Sequence, residues 1–134
     1  ARLIEPLFSM TTPTIASPTR DLLGECPLWD TRDQSVYWVD SKGPLVRRLH
    51  LASGARTDWR VPSDVGSIAL TESGRLLMAL EDGFHLLDTA TGDSRRVATR
   101  ARRTFGVGIS TATNGTTIFF NGFGFGFHVS DTLA

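Results

Sequence analysis

The chain has 134 residues, 40% of them hydrophobic and 21% charged, enough for one domain with a buried core. Lys plus Arg and Asp plus Glu both number 14, so no net field draws it to nucleic acid or to an acidic membrane, and neither partner is expected. A single cysteine, Cys26, excludes an internal disulfide and any C-x-x-C metal cluster, which fits a reducing, cytoplasmic setting; no apolar run approaches the ~20 residues of a membrane span.

Residues 1–18 read as an N-terminal extension, in which Met10-Thr11-Thr12-Pro13 looks like a natural start. Residues 19–134 read as the folded part. From Thr19 onward turn signals recur at short intervals, among them Ser41-Lys42-Gly43-Pro44, Ala52-Ser53-Gly54, Glu81-Asp82-Gly83 and Ala90-Thr91-Gly92-Asp93. Between them lie runs of strand length at Ser35–Asp40, Leu45–Leu51, Ala55–Val61, Gly66–Leu70, Arg75–Leu80 and Phe84–Asp88. Apolarity alone would let the last two form a helix, but the Glu-Asp-Gly break predicts a hairpin. The fold class is all-β.

A repeat selects the architecture. Ala52-Ser53-Gly54 returns as Ala90-Thr91-Gly92, 38 residues later, each preceded by a similar pair of runs. A weaker third copy begins at Asn114-Gly115, with Ile118-Phe119-Phe120 as its inner run and Phe127–Thr132 echoing Phe84–Thr89. A period near ~40 residues built of short strands is the signature of a β-propeller blade, so the chain is expected to hold about two and a half blades of a partial propeller. Residues 19–93 carry the regular blades. Residues 94–134 diverge, first Arg-rich (Arg95, Arg96, Arg100, Arg102, Arg103) and then Gly/Phe-rich at residues 122–127. The arginines suit either a solvated loop or an anion contact. The open, phenylalanine-bearing edge predicts self-association.

Few residues offer chemistry. His50, His85 and His128 have no H-x-x-H spacing and read as structural. Ser67 lacks a G-x-S-x-G elbow, which excludes a serine hydrolase of that type. Asp40 ends a strand and reads as a turn cap. Trp29, Trp38 and Trp59 read as packing between blades. Glu25, beside Cys26 and Pro27, reads from the residues alone as an ordinary surface acid.

The segment Leu23-Gly24-Glu25-Cys26-Pro27-Leu28-Trp29-Asp30, followed by Tyr37-Trp38-Val39-Asp40, Gly43-Pro44, Leu49–Gly54, Val65–Leu70 and Leu80–Phe84, resembles the SMP-30/gluconolactonase/regucalcin-like family of sugar-lactone lactonases. The resemblance covers roughly residues 20–93. It implies a propeller of about six blades with one divalent cation, Ca2+ or Zn2+, at the mouth of its channel, and it makes Glu25 a metal ligand; Cys26 is then either a metal neighbour or a small buried thiol. The family's substrate-contacting Arg-Phe-Asn-Asp-Gly-Lys motif should follow Val97. Arg103 and Phe105 stand there without Asn-Asp-Gly, so no catalytic or substrate-binding residue carries over. The implied function is that of a metal-dependent sugar-lactone hydrolase of which this chain is an incomplete N-terminal part, inactive by itself. The alternative is a non-catalytic propeller remnant acting as a binding module.

Overall fold

The computed structural model describes residues 12–99 together with the strands Gly108–Thr111 and Ile118–Asn121. The described residues form no helix. Eight strands make two four-stranded antiparallel sheets: β1 (Gly24–Asp30), β2 (Ser35–Asp40), β3 (Leu45–His50) and β4 (Arg56–Arg60) pair in chain order, as do β5 (Val65–Leu70), β6 (Leu76–Leu80), β7 (Gly83–Leu87) and β8 (Ser94–Thr99). A two-stranded sheet of β9 (Gly108–Thr111) and β10 (Ile118–Asn121) follows. β1 lies against β5, and β5 against β9, so the first strands of successive sheets stand side by side. That is how the inner strands of propeller blades surround a channel.

Six of the strands coincide with the sequence-predicted runs to within a residue or so at either end, and the Glu-Asp-Gly break is the β6–β7 hairpin. The repeat is a repeat of backbone geometry. Gly54 and Gly92 both have positive φ, 70° and 82°, where a side chain would be strained. Their N–H groups donate to the carbonyls of His50 (2.9 Å) and Asp88 (2.8 Å), and His50 N–H and Asp88 N–H donate onward to Ala55 and Asp93. The third copy's inner run is β10; Phe127–Thr132 and the Gly/Phe-rich 122–127 stretch lie outside the described residues.

One core joins the first two blades. Tyr37, Val39, Val46, Trp59 and Val61 of the first pack on Val65, Ile68, Leu76, Met78, Leu80 and Leu87 of the second. Period-two alternation explains the first blade, whose β2 buries Ser35, Tyr37 and Val39 and leaves Val36 and Trp38 half-covered. In β6 and β7 every residue is buried, and both read as near-continuous apolar runs, as strands covered on two faces do. Trp59 fulfils the packing expectation: it stacks on Tyr37 with ring centroids 6.4 Å apart and lies under the Arg48 guanidinium. Gly92 of the second blade approaches it so closely that an added Cβ would stand 3.3 Å from the indole. The other two tryptophans differ. Trp29 is 44% exposed, and Trp38 turns away from the shared core to donate its indole N–H to Asp21 (2.9 Å).

Candidate functional site

The site is built at the end of the first blade where β1 starts, β2 finishes and β5 begins. Gly24 pairs with Asp40 and Glu25 with Val39, after which the register slips by one residue before Leu28 meets Tyr37. The slip is a β-bulge, and β5 carries one near its own start, between Val65 and Ser67. In β1 the bulge includes Cys26 at φ 53°, a left-handed conformation that costs a non-glycine residue roughly 1–2 kcal/mol. Its half-buried thiol sits against the second blade, accepting from Ile68 N–H and donating to Ile68 C=O, each at 3.5 Å.

Asp40 holds the other side of Glu25. Its carboxylate is buried and accepts three backbone N–H groups: Leu22 (3.0 Å), Leu23 (3.1 Å) and Gly43 (2.9 Å). Burial pushes its pKa up, but the three N–H donors prevail and hold it below the ordinary carboxylate value. Ser41 N–H closes the same junction on Leu23 C=O (2.8 Å), and Val65 N–H donates to Ser41 C=O (3.3 Å), tying in the second blade. The turn-cap expectation for Asp40 therefore holds and is exceeded. The segment ahead of β1 is fastened again by Asp21, whose two carboxylate oxygens take Arg47 Nε–H (2.7 Å) and Trp38 Nε1–H (2.9 Å); Arg47 also donates to Asp58 (2.7 Å). Nothing local in the sequence announced this network, because its members come from an unpatterned segment and three different strands.

Glu25 is exposed, and its side chain makes no hydrogen bond or ion pair with a described residue. Among the described residues no group of three or more His, Cys, Asp or Glu side chains could enclose a metal ion. Ca2+ takes about 6–8 oxygens and Zn2+ about three or four protein ligands. Glu25 contributes one carboxylate, short of what either ion needs. The described histidines stand elsewhere: His50 Nδ1 bonds the Ser53 hydroxyl (2.6 Å), and His85 Nε2 bonds Asp82 (2.7 Å), the expected structural roles; His128 lies outside the described residues. That imidazole, followed by burial acting the other way, draws the Asp82 pKa down. An open groove of about 580 Å3 lies at the opposite end of the first blade, between the β1–β2 and β3–β4 turns. Its charged groups are engaged, Arg32 with Asp30 and Arg48 with Asp33. Arg32 also crosses to the second blade, donating to the carbonyls of Thr71 (2.7 Å) and Glu72 (3.2 Å).

The sequence profile of the SMP-30/Gluconolactonase/LRE-like region matches residues 23–109, which includes all of both blades. The chain belongs to this family. The match runs beyond Asp93, where the motif resemblance stops, and takes in the start of β9. Among curated relatives, 6-deoxy-6-sulfogluconolactonase of Pseudomonas putida is 37% identical over 67 residues, 50% of this chain and 23% of its own length. L-arabinolactonase of Azospirillum brasilense is 31% identical over 85 residues, 63% and 28%, and regucalcin of Gallus gallus 38% over 65 residues, 48% and 22%. The matched stretch thus spans about a quarter of these relatives' length. In structure, the calcium-binding protein regucalcin from Agrobacterium tumefaciens superposes with a TM-score of 0.66 at 24% identity, over 87% of this chain and 45% of its own, which establishes the fold as part of a β-propeller. A luciferin-regenerating enzyme superposes at 0.51 with 27% identity, over 55% of this chain and 24% of its own.

Proposed function

We propose that these blades form the Glu25 side of the channel mouth in a sugar-lactone hydrolase. The reaction is hydrolysis of a cyclic ester: water adds to the lactone carbonyl, the ring C–O bond breaks, and the leaving oxygen takes a proton to give the open hydroxy acid. The observation that carries the reading is the state of Glu25. Among the described residues it is a partnerless, exposed carboxylate in the Gly-Glu-Cys-Pro segment, on backbone held by a bulge, a positive φ at Cys26 and the Asp40 cradle. Backbone constrained to this degree around a free charged group is characteristic of sites rather than of solvated surface. Two of the relatives named above are lactonases, which supports the substrate class. A divalent cation, Ca2+ or Zn2+, is the cofactor we assign, with Glu25 as one ligand and the remaining ligands outside the described residues.

The test has two arms. The 134-residue chain, given glucono-δ-lactone and Ca2+ or Zn2+ in a pH-stat, should open the ring no faster than the metal blank. Grafting residues 12–99 in place of the matching blades of a regucalcin-type relative should give metal-dependent opening, reduced at least ~100-fold by Glu25→Gln. Opening by the graft that ignores either the metal or Glu25 refutes the assignment.

A further inference from the structure

Glu25 is presented by backbone whose placement must come from somewhere, and the second blade shows how the start of its own first strand is held. There the residue preceding the bulge is Val65, fully buried in the shared core, so the start of β5 is anchored by its own side chain. The start of β1 has no such anchor: Gly24, which pairs with the last residue of β2 as Val65 pairs with the last residue of β6, carries no side chain, and Glu25 beside it is exposed. What stands in its stead is the Asp40 carboxylate, which binds the two residues immediately upstream, Leu22 and Leu23, and the turn residue Gly43. The fit has no slack: a Cβ at Gly43 would run into Asp40 Oδ2. Leu23 is fixed from both sides, since its carbonyl takes Ser41 N–H while its own N–H is on Asp40.

We infer that Asp40 is the positioning residue of Glu25: it replaces the missing apolar anchor of β1 and sets where the free carboxylate stands at the channel mouth. The inference rests on reading Glu25 as the functional group, but its mechanical content is separate and can fail separately. The division of labour between the two Asp40 oxygens makes it specific. Oδ1 accepts from Leu23 and Gly43, and Oδ2 from Leu22 alone. Asparagine with its amide oxygen in the Oδ1 place keeps two of these bonds and loses one, whereas alanine loses all three.

The experiment is amide exchange and chemical-shift mapping by NMR on the full chain carrying Asp40→Asn or Asp40→Ala. Each bond to a charged acceptor protects its donor by about 10- to 100-fold. Asp40→Asn should therefore accelerate exchange at Leu22 by about that factor, leave Leu23 and Gly43 protected, and leave the Glu25 signal in place. Asp40→Ala should release all three amides and move or broaden the signals of Gly24, Glu25 and Cys26, while core amides such as Val46 and Met78 keep their shifts. If Asp40→Ala does not fold, the graded pattern in Asp40→Asn decides. An evenly spread loss of protection with Glu25 undisturbed in the alanine variant, or an asparagine variant that displaces Glu25, overturns the inference. Loss of lactonase dependence on Glu25 in the grafted protein, with the exchange pattern intact, would instead overturn only the functional reading.

Discussion

Removing Asp21 should leave a buried cation short of its partner, and the structure allows the cost to be worked out. The Arg47 side chain is 9% exposed and that of Asp21 12%, so their 2.7 Å contact is largely shielded from water. Asp21→Ala deletes two hydrogen bonds to a charged acceptor, from Arg47 Nε and Trp38 Nε1, each worth about 1.5–3 kcal/mol. Arg47 keeps Asp58, which is 37% exposed, and the segment before β1 can loosen to admit water. The lower end of the range is therefore expected, about 3 kcal/mol in total. The diagnostic is the second substitution. Adding Arg47→Met removes the stranded charge and supplies apolar volume, and Asp58 is exposed enough to be solvated without it, so the double variant should recover about 1 kcal/mol or more of the loss. Urea unfolding followed by circular dichroism reads both numbers, provided the m-value is unchanged. A double variant no more stable than Asp21→Ala would show that the network is a solvated surface cluster and that its burial carries no energetic weight.

Stability should also fall in acid. The Arg32 side-chain hydrogen bond holds the Asp30 carboxyl below its ordinary value, and the backbone donors do the same for Asp40 against the upward push of burial. A folded pKa below the unfolded value of 3.8 gives stability that is complete above that pH and is lost as pH falls through the folded pKa. The melting temperature should thus hold down to about pH 4 and drop below it, less steeply in Asp40→Asn; a drop already complete near pH 6 would point to other groups. Cys26→Gly relieves a left-handed non-glycine residue at the expense of two long sulfur contacts, so thermal melting should show it unchanged or up to about 1 kcal/mol more stable, whereas Cys26→Val should cost at least as much as the glycine gains. Gly43→Ala drives a methyl into Asp40 and should destabilise by about 2 kcal/mol or more; a neutral result would mean that the 41–44 turn is not held by that carboxylate.

Six of the eight strands in the two blades were legible because their boundaries are written locally, in Gly-, Asp- and Ser-rich turns that need no partner to form; β1 and β8 were not among the predicted runs, and β8 falls in the Arg-rich segment read as divergent. The propeller was legible because its turn chemistry repeats, down to the positive φ at Gly54 and Gly92. The bulges were not. Glu25-Cys26-Pro27 and Val65-Gly66-Ser67 share no residue type, and a left-handed cysteine leaves no compositional mark. Nor was the Asp21–Arg47–Asp58 network, whose members are brought together across 26 and 11 residues by sheet pairing. Glu25 stood out only through its family motif; by itself an exposed acid next to proline has no distinguishing pattern. Trp29 and Trp38 do not join the core shared by the two described blades, because alternation puts them on the other face of the first blade, with Val36.

The paired bulges in β1 and β5 have a consequence for how a ring of near-identical units acquires a unique place. In the second blade the start of the inner strand is plugged by Val65, whereas in the first it opens on Gly24 and the exposed Glu25. Leaving one strand start unplugged, with an acid beside it, sets the first blade apart from the second, and the backbone departs with it, since the β1 bulge holds Cys26 at positive φ and the β5 bulge holds no such residue. The lost plug forgoes roughly the 1.5–3 kcal/mol of a buried valine, and a neighbouring strand end, through Asp40, takes over the fastening. Specialisation in such an architecture then amounts to moving a fastener one strand over, so that the vacated position is free to do chemistry.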